Sequence, residues 1–156
     1  MEKVVINTPI GPLLICGTSE GITEVTFQEN SLISEKIPSV LKPAVQQLTE
    51  YFQRKRTHFE VKLHPNGTPF QKKVWNQLLQ IPFGKTTSYQ EVANTLGDPK
   101  VIRAAATANG KNPIAIIIPC HRVIGSDGSL TGYAGGLHRK KWLLELESPV
   151  KQGELF

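Results

Sequence analysis

The chain has 156 residues, enough for one large domain or two small ones sharing an interface. With 39% hydrophobic and 20% charged residues it has globular composition, which excludes a disordered chain; its longest apolar run, Ile114 to Ile118, is too short to span a bilayer. Lys and Arg number 18 against 13 Asp and Glu, a net charge of +5 that leans toward an anionic partner without specifying one.

The N-terminus lacks the positive flank and continuous apolar stretch of a signal peptide, so a soluble cytoplasmic protein is expected. Two cysteines, Cys16 and Cys120, form no Cys-x-x-Cys pair. The four histidines, His58, His64, His121 and His138, show no metal-ligand spacing. Neither a disulfide scaffold nor a metal is expected.

In chain order, Lys3 to Ile6, Leu13 to Gly17 and Ile22 to Phe27 are β-prone runs. Asn7-Thr8-Pro9 and Ser19-Glu20-Gly21 supply turns between them. Leu41, Val45, Leu48 and Phe52 share one face of a helix with Pro43 in its first turn. Phe59, Val61 and Leu63 alternate with polar residues, the pattern of a half-buried strand. His64-Pro65-Asn66-Gly67 marks the boundary between a domain over residues 1–66 and another over 67–156.

The second half opens with a capping box, Thr68 with Gln71, and Pro69 at the first helical position. Phe70, Val74, Trp75, Leu78 and Ile81 form that helix's apolar side. Ser88 to Glu91 is a second capping box, opening a short helix with Val92 and Leu96. Gly97 breaks it, and Asp98-Pro99 starts a helix running to about Ala108. Two short helices across a tight turn predict a helix-turn-helix. Gly125-Ser126-Asp127-Gly128 reads as a hairpin turn and hence a wing, Gly132 to Gly136 as a glycine-rich loop. A last helix carries Trp142, Leu143 and Leu146 and ends near Glu147.

Chemistry concentrates at Cys120-His121. A cysteine acts as a nucleophile in its thiolate form, which an imidazole or a cation favours. In an extended chain adjacent side chains point apart, so a water would bridge the two. The alternative is a buried structural cysteine following an apolar run. The alanine-rich helix with its single Arg103 either lets its backbone approach a partner closely or turns its alanines into a core.

Ile118-Pro119-Cys120-His121-Arg122-Val123, preceded by Asn112-Pro113, Arg103 and Tyr89-Gln90, resembles the O6-alkylguanine-DNA alkyltransferases over about Phe70 to Glu147. The first third is similar more loosely. The resemblance implies an α/β N-terminal domain of ribonuclease-H-like type, a small antiparallel sheet plus helix. A mainly α winged helix-turn-helix domain would follow. It also implies direct-reversal DNA repair, in which an alkyl group moves irreversibly from O6-alkylguanine, and O4-alkylthymine, to Cys120. No cofactor is needed, and each molecule acts once, as a monomer.

The same resemblance makes His121 the base acting through water, and Glu147 its orienting acid. Tyr133 donates a proton or hydrogen bond to the base ring. The backbone of Val123, Ala134 and Gly135 reads the guanine edge. Arg103 is the finger that fills the vacated stack, Tyr89 presses on the phosphate and Asn112 is the hinge. The partner is double-stranded DNA carrying alkylated bases, bound through its minor groove. Ala105-Ala106 departs from the valine-glycine pair common in the family, and the zinc ligands of some members are absent. A lesion binder without a nucleophile, a winged-helix regulator and a Cys-His hydrolase are the competing readings.

Overall fold

The computed structural model describes residues 1–148, which fall into two compact units. The first comprises Met1–Asn66 together with Pro113–Ile117; the second comprises Gly67–Asn112 and the chain from Ile118 onward. The expected second domain, 67–156, thus runs past the described residues. Its segment Pro113–Ile117 belongs to the first unit.

In the first unit β1 (Glu2–Thr8), β2 (Gly11–Thr18) and β3 (Gly21–Phe27) form an antiparallel meander in the order β1-β2-β3. Val4 pairs with Ile15 and Leu13 with Phe27. The register shifts between Cys16 and Gly17, where Thr23 is the extra residue of β3; in β2 Ile15, Cys16 and Gly17 are buried in succession.

After a 3-10 turn, Ser39–Leu41, helix α1 (Lys42–Phe52) carries Pro43 in its first turn and buries Ala44, Val45, Leu48 and Tyr51. The expected face is corrected at its end. Tyr51 is buried and Phe52 only half-buried, their rings edge-on at 5.5 Å between centroids.

Residues 59–63 keep the predicted alternation of half-buried and exposed side chains, yet they form no strand. The outer edge of β3 is shared between two segments. Ile22 donates to Lys62 O at 2.8 Å and accepts from His64 N at 2.7 Å; Val25 donates to Pro113 O and accepts from Ala115 N, each at 2.9 Å. Neither segment can run the edge's full length, so each is reduced to a single bridge, at Leu63 and at Ile114. Ile116, buried and β-branched, takes φ +71°, a conformation such residues rarely adopt.

In the second unit the Thr68 capping box forms as predicted. Gln71 N donates to Thr68 Oγ1 at 3.1 Å and Thr68 N to Gln71 Oε1 at 2.9 Å, opening α2 (Pro69–Leu78). Its face of Val74, Trp75 and Leu78 is buried, and the Trp75 indole donates to Ala108 O at 2.8 Å. Ser88 caps α3 (Tyr89–Thr95) by accepting from Glu91 N at 3.1 Å. Gly97, at φ +96°, makes the turn that a side chain would strain.

The single helix expected from Pro99 is divided. Pro99–Val101 is a 3-10 turn capped by Asp98, and α4 (Ile102–Gly110) follows. The wing is also corrected. The turn at Gly125 closes, with its N–H donating to Ser129 O at 2.9 Å, but no returning strand follows among the described residues. Instead β5 (Val123–Ile124) pairs in parallel with β4 (Thr87–Ser88). The loop after Ser129 carries Gly132 at φ +47° and then Gly136 at φ +93°, a path that does not fit a pleated ladder. Helix α5 (Leu137–Glu147) ends the described chain, burying Arg139, Lys140, Leu143, Leu146 and Glu147.

Candidate active site around Cys120

Cys120, His121 and Arg122 form one 3-10 turn, so the extended geometry expected there is corrected. At three residues per turn, successive side chains diverge by about 120° rather than pointing oppositely. All three are buried. Two asparagines hold the segment's backbone: Asn112 Nδ2 donates to Ile118 O at 2.8 Å, and Asn109 Nδ2 reaches Cys120 O at 3.5 Å. Asn112 also hydrogen-bonds the cysteine side chain.

His121 Nε2 lies 2.7 Å from Glu147 Oε2. Arg122 grips the same carboxylate with Nε to Oε1 at 2.7 Å and Nη2 to Oε2 at 3.1 Å, and donates through Nη1 to Ile81 O at 2.6 Å. Burial alone would raise the Glu147 pKa. The hydrogen bond and charge of His121, then those of Arg122, outweigh it and hold the carboxyl at about 2. An ionised carboxylate only accepts, so Nε2 carries the hydrogen it receives. Burial lowers the His121 pKa more than Glu147 raises it, so the ring gives up its second proton more readily than a free imidazole, and the lone pair of its neutral form sits on Nδ1. Nδ1 is buried and has no protein hydrogen-bond partner.

Burial pushes the Cys120 thiol up, while the Asn112 hydrogen bond and the charge of Lys140 pull it down. The Tyr133 hydroxyl is buried without a protein partner. Burial foremost, then the charges of Cys120 and Glu147, push its pKa well above the usual tyrosine range. Tyr133 therefore remains a proton-bearing donor.

Of the residues the sequence nominated, Cys120, His121, Glu147, Asn112 and Tyr133 are drawn into this one neighbourhood. Val123 is buried immediately beyond the turn; Gly135 is half-buried, its carbonyl accepting from Arg139 Nη1 at 3.0 Å. Tyr89 faces the following loop, its hydroxyl donating to Thr131 O at 3.1 Å. Ala134 and Arg103 are exposed. Ala105 and Ala108 pack inward while Ala104 stays outside, so α4 serves both readings of its alanines.

Sequence reasoning missed the grip of Arg122 on Glu147 and the burial of Asn109 and Lys140. Lys140 stands three and seven residues before Leu143 and Glu147, a helical spacing that could have exposed it. The basic run His138 to Lys141 instead reads as solvated. Among the described residues no cluster of three or more His, Cys, Asp or Glu is placed to hold a metal. Among those same residues no helix is long and apolar enough to cross a membrane.

Fold and site together define a helix-turn-helix protein with a buried thiol beside a histidine–glutamate pair. Residues 69–149 match the family described as 6-O-methylguanine DNA methyltransferase, DNA binding domain, and residues 1–65 its ribonuclease-like domain. The chain belongs to the 6-O-methylguanine DNA methyltransferase family. The methylated-DNA–protein-cysteine methyltransferase of Methanosarcina acetivorans is 47% identical over 153 residues, covering 94% of this chain and 98% of that protein. Its counterpart in Mycobacterium tuberculosis is 48% identical over 155 residues, covering 96% and 94%. The crystal structure of Mycobacterium tuberculosis O6-methylguanine methyltransferase superposes with a TM-score of 0.86 at 45% identity, over 99% of this chain and 96% of that one. A structure of Mycobacterium tuberculosis OGT in complex with DNA gives 0.86 at 47% identity, over 94% and 93%. The ribonuclease-like first domain and helical DNA-binding second domain agree with the fold expected from the sequence.

Proposed function

We propose that this chain repairs DNA by taking the alkyl group from O6 of an alkylated guanine and keeping it on Cys120. One observation carries the reading: His121 is pinned to Glu147 at 2.7 Å through Nε2, while Nδ1 is left buried and without a protein partner. That is the arrangement of a general base waiting for a proton. Cys120 transfers its proton toward Nδ1 through water, and Glu147 stabilises the imidazolium that results. The sulfur then forms a bond to the alkyl carbon as the carbon–O6 bond breaks, and the electron pair leaves on the guanine. Tyr133, held protonated by its surroundings, offers the hydrogen bond or proton that neutralises this leaving group. The thioether has no route back, so each molecule turns over once and no cofactor enters.

Duplex DNA bearing the alkylated base is the partner, and the nucleotide must leave the stack to reach a buried sulfur. Arg103, exposed near the start of α4, is the side chain to fill the vacated place. Tyr89 works at the flanking phosphate, and Asn112 couples α4 to the cysteine turn. The carbonyls and amides of Val123, Ala134 and Gly135 read the base edge. Small side chains on α4 suit a minor-groove approach, where readout is nearly blind to sequence.

The test is intact-protein mass after incubation with duplex DNA carrying O6-methylguanine, beside a Cys120→Ala control. A stoichiometric gain of one methylene mapped to Cys120, absent from the control, is expected. No gain with retained lesion binding would convert the reading to a lesion binder. Arg103→Ala should slow repair of duplex far more than attack on free O6-methylguanine; equal slowing of both would remove Arg103 from base extrusion.

A further inference from the structure

The Glu147 carboxylate holds two cation-forming side chains on one pair of oxygens. His121 Nε2 takes Oε2 at 2.7 Å; Arg122 takes Oε1 through Nε at 2.7 Å and shares Oε2 through Nη2 at 3.1 Å. His121 and Arg122 therefore meet at a common atom. One hydrogen bond is enough to orient an imidazole and choose its tautomer. The guanidinium exceeds what orientation requires, and burying it costs desolvation.

Arg122 is also fixed in place. Its Nη1 donates to Ile81 O at 2.6 Å, its guanidinium carbon lies 5.9 Å from the centre of the Phe83 ring, and the residue is only 6% exposed. Arginine keeps its proton throughout the pH range of a folded protein, so this charge is permanent.

The net charge of the three groups decides the rest. With Arg122 present and Glu147 ionised, a neutral His121 leaves the cluster uncharged, and a proton from solvent makes it a buried cation. Without the guanidinium the order reverses: a neutral His121 leaves a buried anion, which the second proton cancels. A dry site disfavours whichever state carries the net charge. A proton from Cys120 differs from one supplied by solvent. It passes through water to Nδ1 while the sulfur keeps the electron pair, so the thiolate offsets the imidazolium.

Resting on the reading of His121 as the base, we infer that Arg122 is a positioning residue that acts through Glu147, withholding His121 from solvent protons and reserving it for the proton of Cys120. Burial is the largest influence lowering the His121 pKa. The hydrogen bond and charge of Glu147 oppose it, and the charges of Arg122 and Lys140 reinforce it. Cys120 in the same turn and Tyr133 in the loop before α5 are the other titrating groups of the site.

The experiment follows the His121 ring nitrogens by NMR from neutral pH into the acid range, in wild type, Arg122→Gln and Arg122→Lys, with His121→Gln supplying the assignment. Glutamine keeps a donor for the carboxylate without the charge; lysine keeps the charge without the fork. The His121 midpoint should rise by about one pH unit in Arg122→Gln and return toward wild type in Arg122→Lys. Loss of a merely structural arginine would loosen Glu147 and leave the midpoint unchanged or lower. Either of those results overturns the inference.

A second readout needs no variant to fold. Both side chains draw on Oε2, so protonating His121 should loosen Arg122, and the Arg122 Nε and Nη signals of wild type should shift with the His121 midpoint. Arg122 signals that stay fixed while His121 titrates also overturn the inference. The methyl-transfer assay on wild type is run alongside. Its failure would remove the proposed repair function, whereas the imidazole titration decides the role of Arg122 separately.

Discussion

The two units of this protein bury opposite kinds of side chain. The first encloses Val4, Leu13, Ile15, Ile22, Val25, Leu41, Leu48 and Tyr51, with Ile114 and Ile116 added from a distant part of the chain; Thr8 is its buried polar residue. The second encloses Asn109, His121, Arg122, Arg139, Lys140 and Glu147 beside its apolar core. Hydrophobic burial is non-directional and tolerates repacking, whereas a buried charge must be met by a partner at the right distance. The first unit therefore rests on apolar burial, whereas the second also buries the ion cluster of His121, Glu147 and Arg122.

The largest effect that would sharpen this contrast is Glu147→Ala. It strands the Arg122 guanidinium and the His121 Nε2 hydrogen in a dry site, and should cost about 3–5 kcal/mol in urea unfolding. A loss no larger than that of a surface carboxylate would mean that the cluster is wetter than its geometry implies. Leu48→Ala, in the first unit, should cost about 2–5 kcal/mol through its cavity alone.

The two variants should differ in their dependence on pH. Glu147 has a depressed native pKa, so its contribution to folding is complete above its ordinary value of 4.5 and disappears as pH falls toward about 2. His121 is depressed as well, and begins to oppose folding once the imidazole of the unfolded chain protonates, below 6.5. Stability should therefore decline in two acid stages. Leu48→Ala should lower that profile without changing its shape, and Glu147→Ala should flatten the stage below pH 4.5. Parallel profiles for both would break the contrast. Smallest is Thr68→Ala, which removes the cap of α2 and should cost about 1 kcal/mol, with the rate of methyl transfer unchanged.

Much of the second unit was legible because its signals are local. The Thr68 capping box, Gly97 at positive φ and the Cys120-His121 sequence each act within a few residues, and each appears in the structure where the sequence places it. Glu147 was legible only through family resemblance, since 26 residues separate it from His121. Errors arose where a distant segment competes for the same hydrogen bonds. Residues 59–63 have a strand's alternation but share the β3 edge with Pro113–Ala115, and the turn at Gly125 predicts a hairpin whose second strand does not form.

The sequence by itself determined most of the elements, the two-part order and the adjacency of Cys120 and His121, because propensity, capping and hydrophobic period are properties of neighbouring residues. Only the tertiary structure decided which charges would be buried together. His138, Arg139, Lys140 and Lys141 form one basic run on one helix. Packing left His138 and Lys141 exposed and closed over Arg139 and Lys140, because the direction in which a helix buries its face depends on what the rest of the fold lays against it.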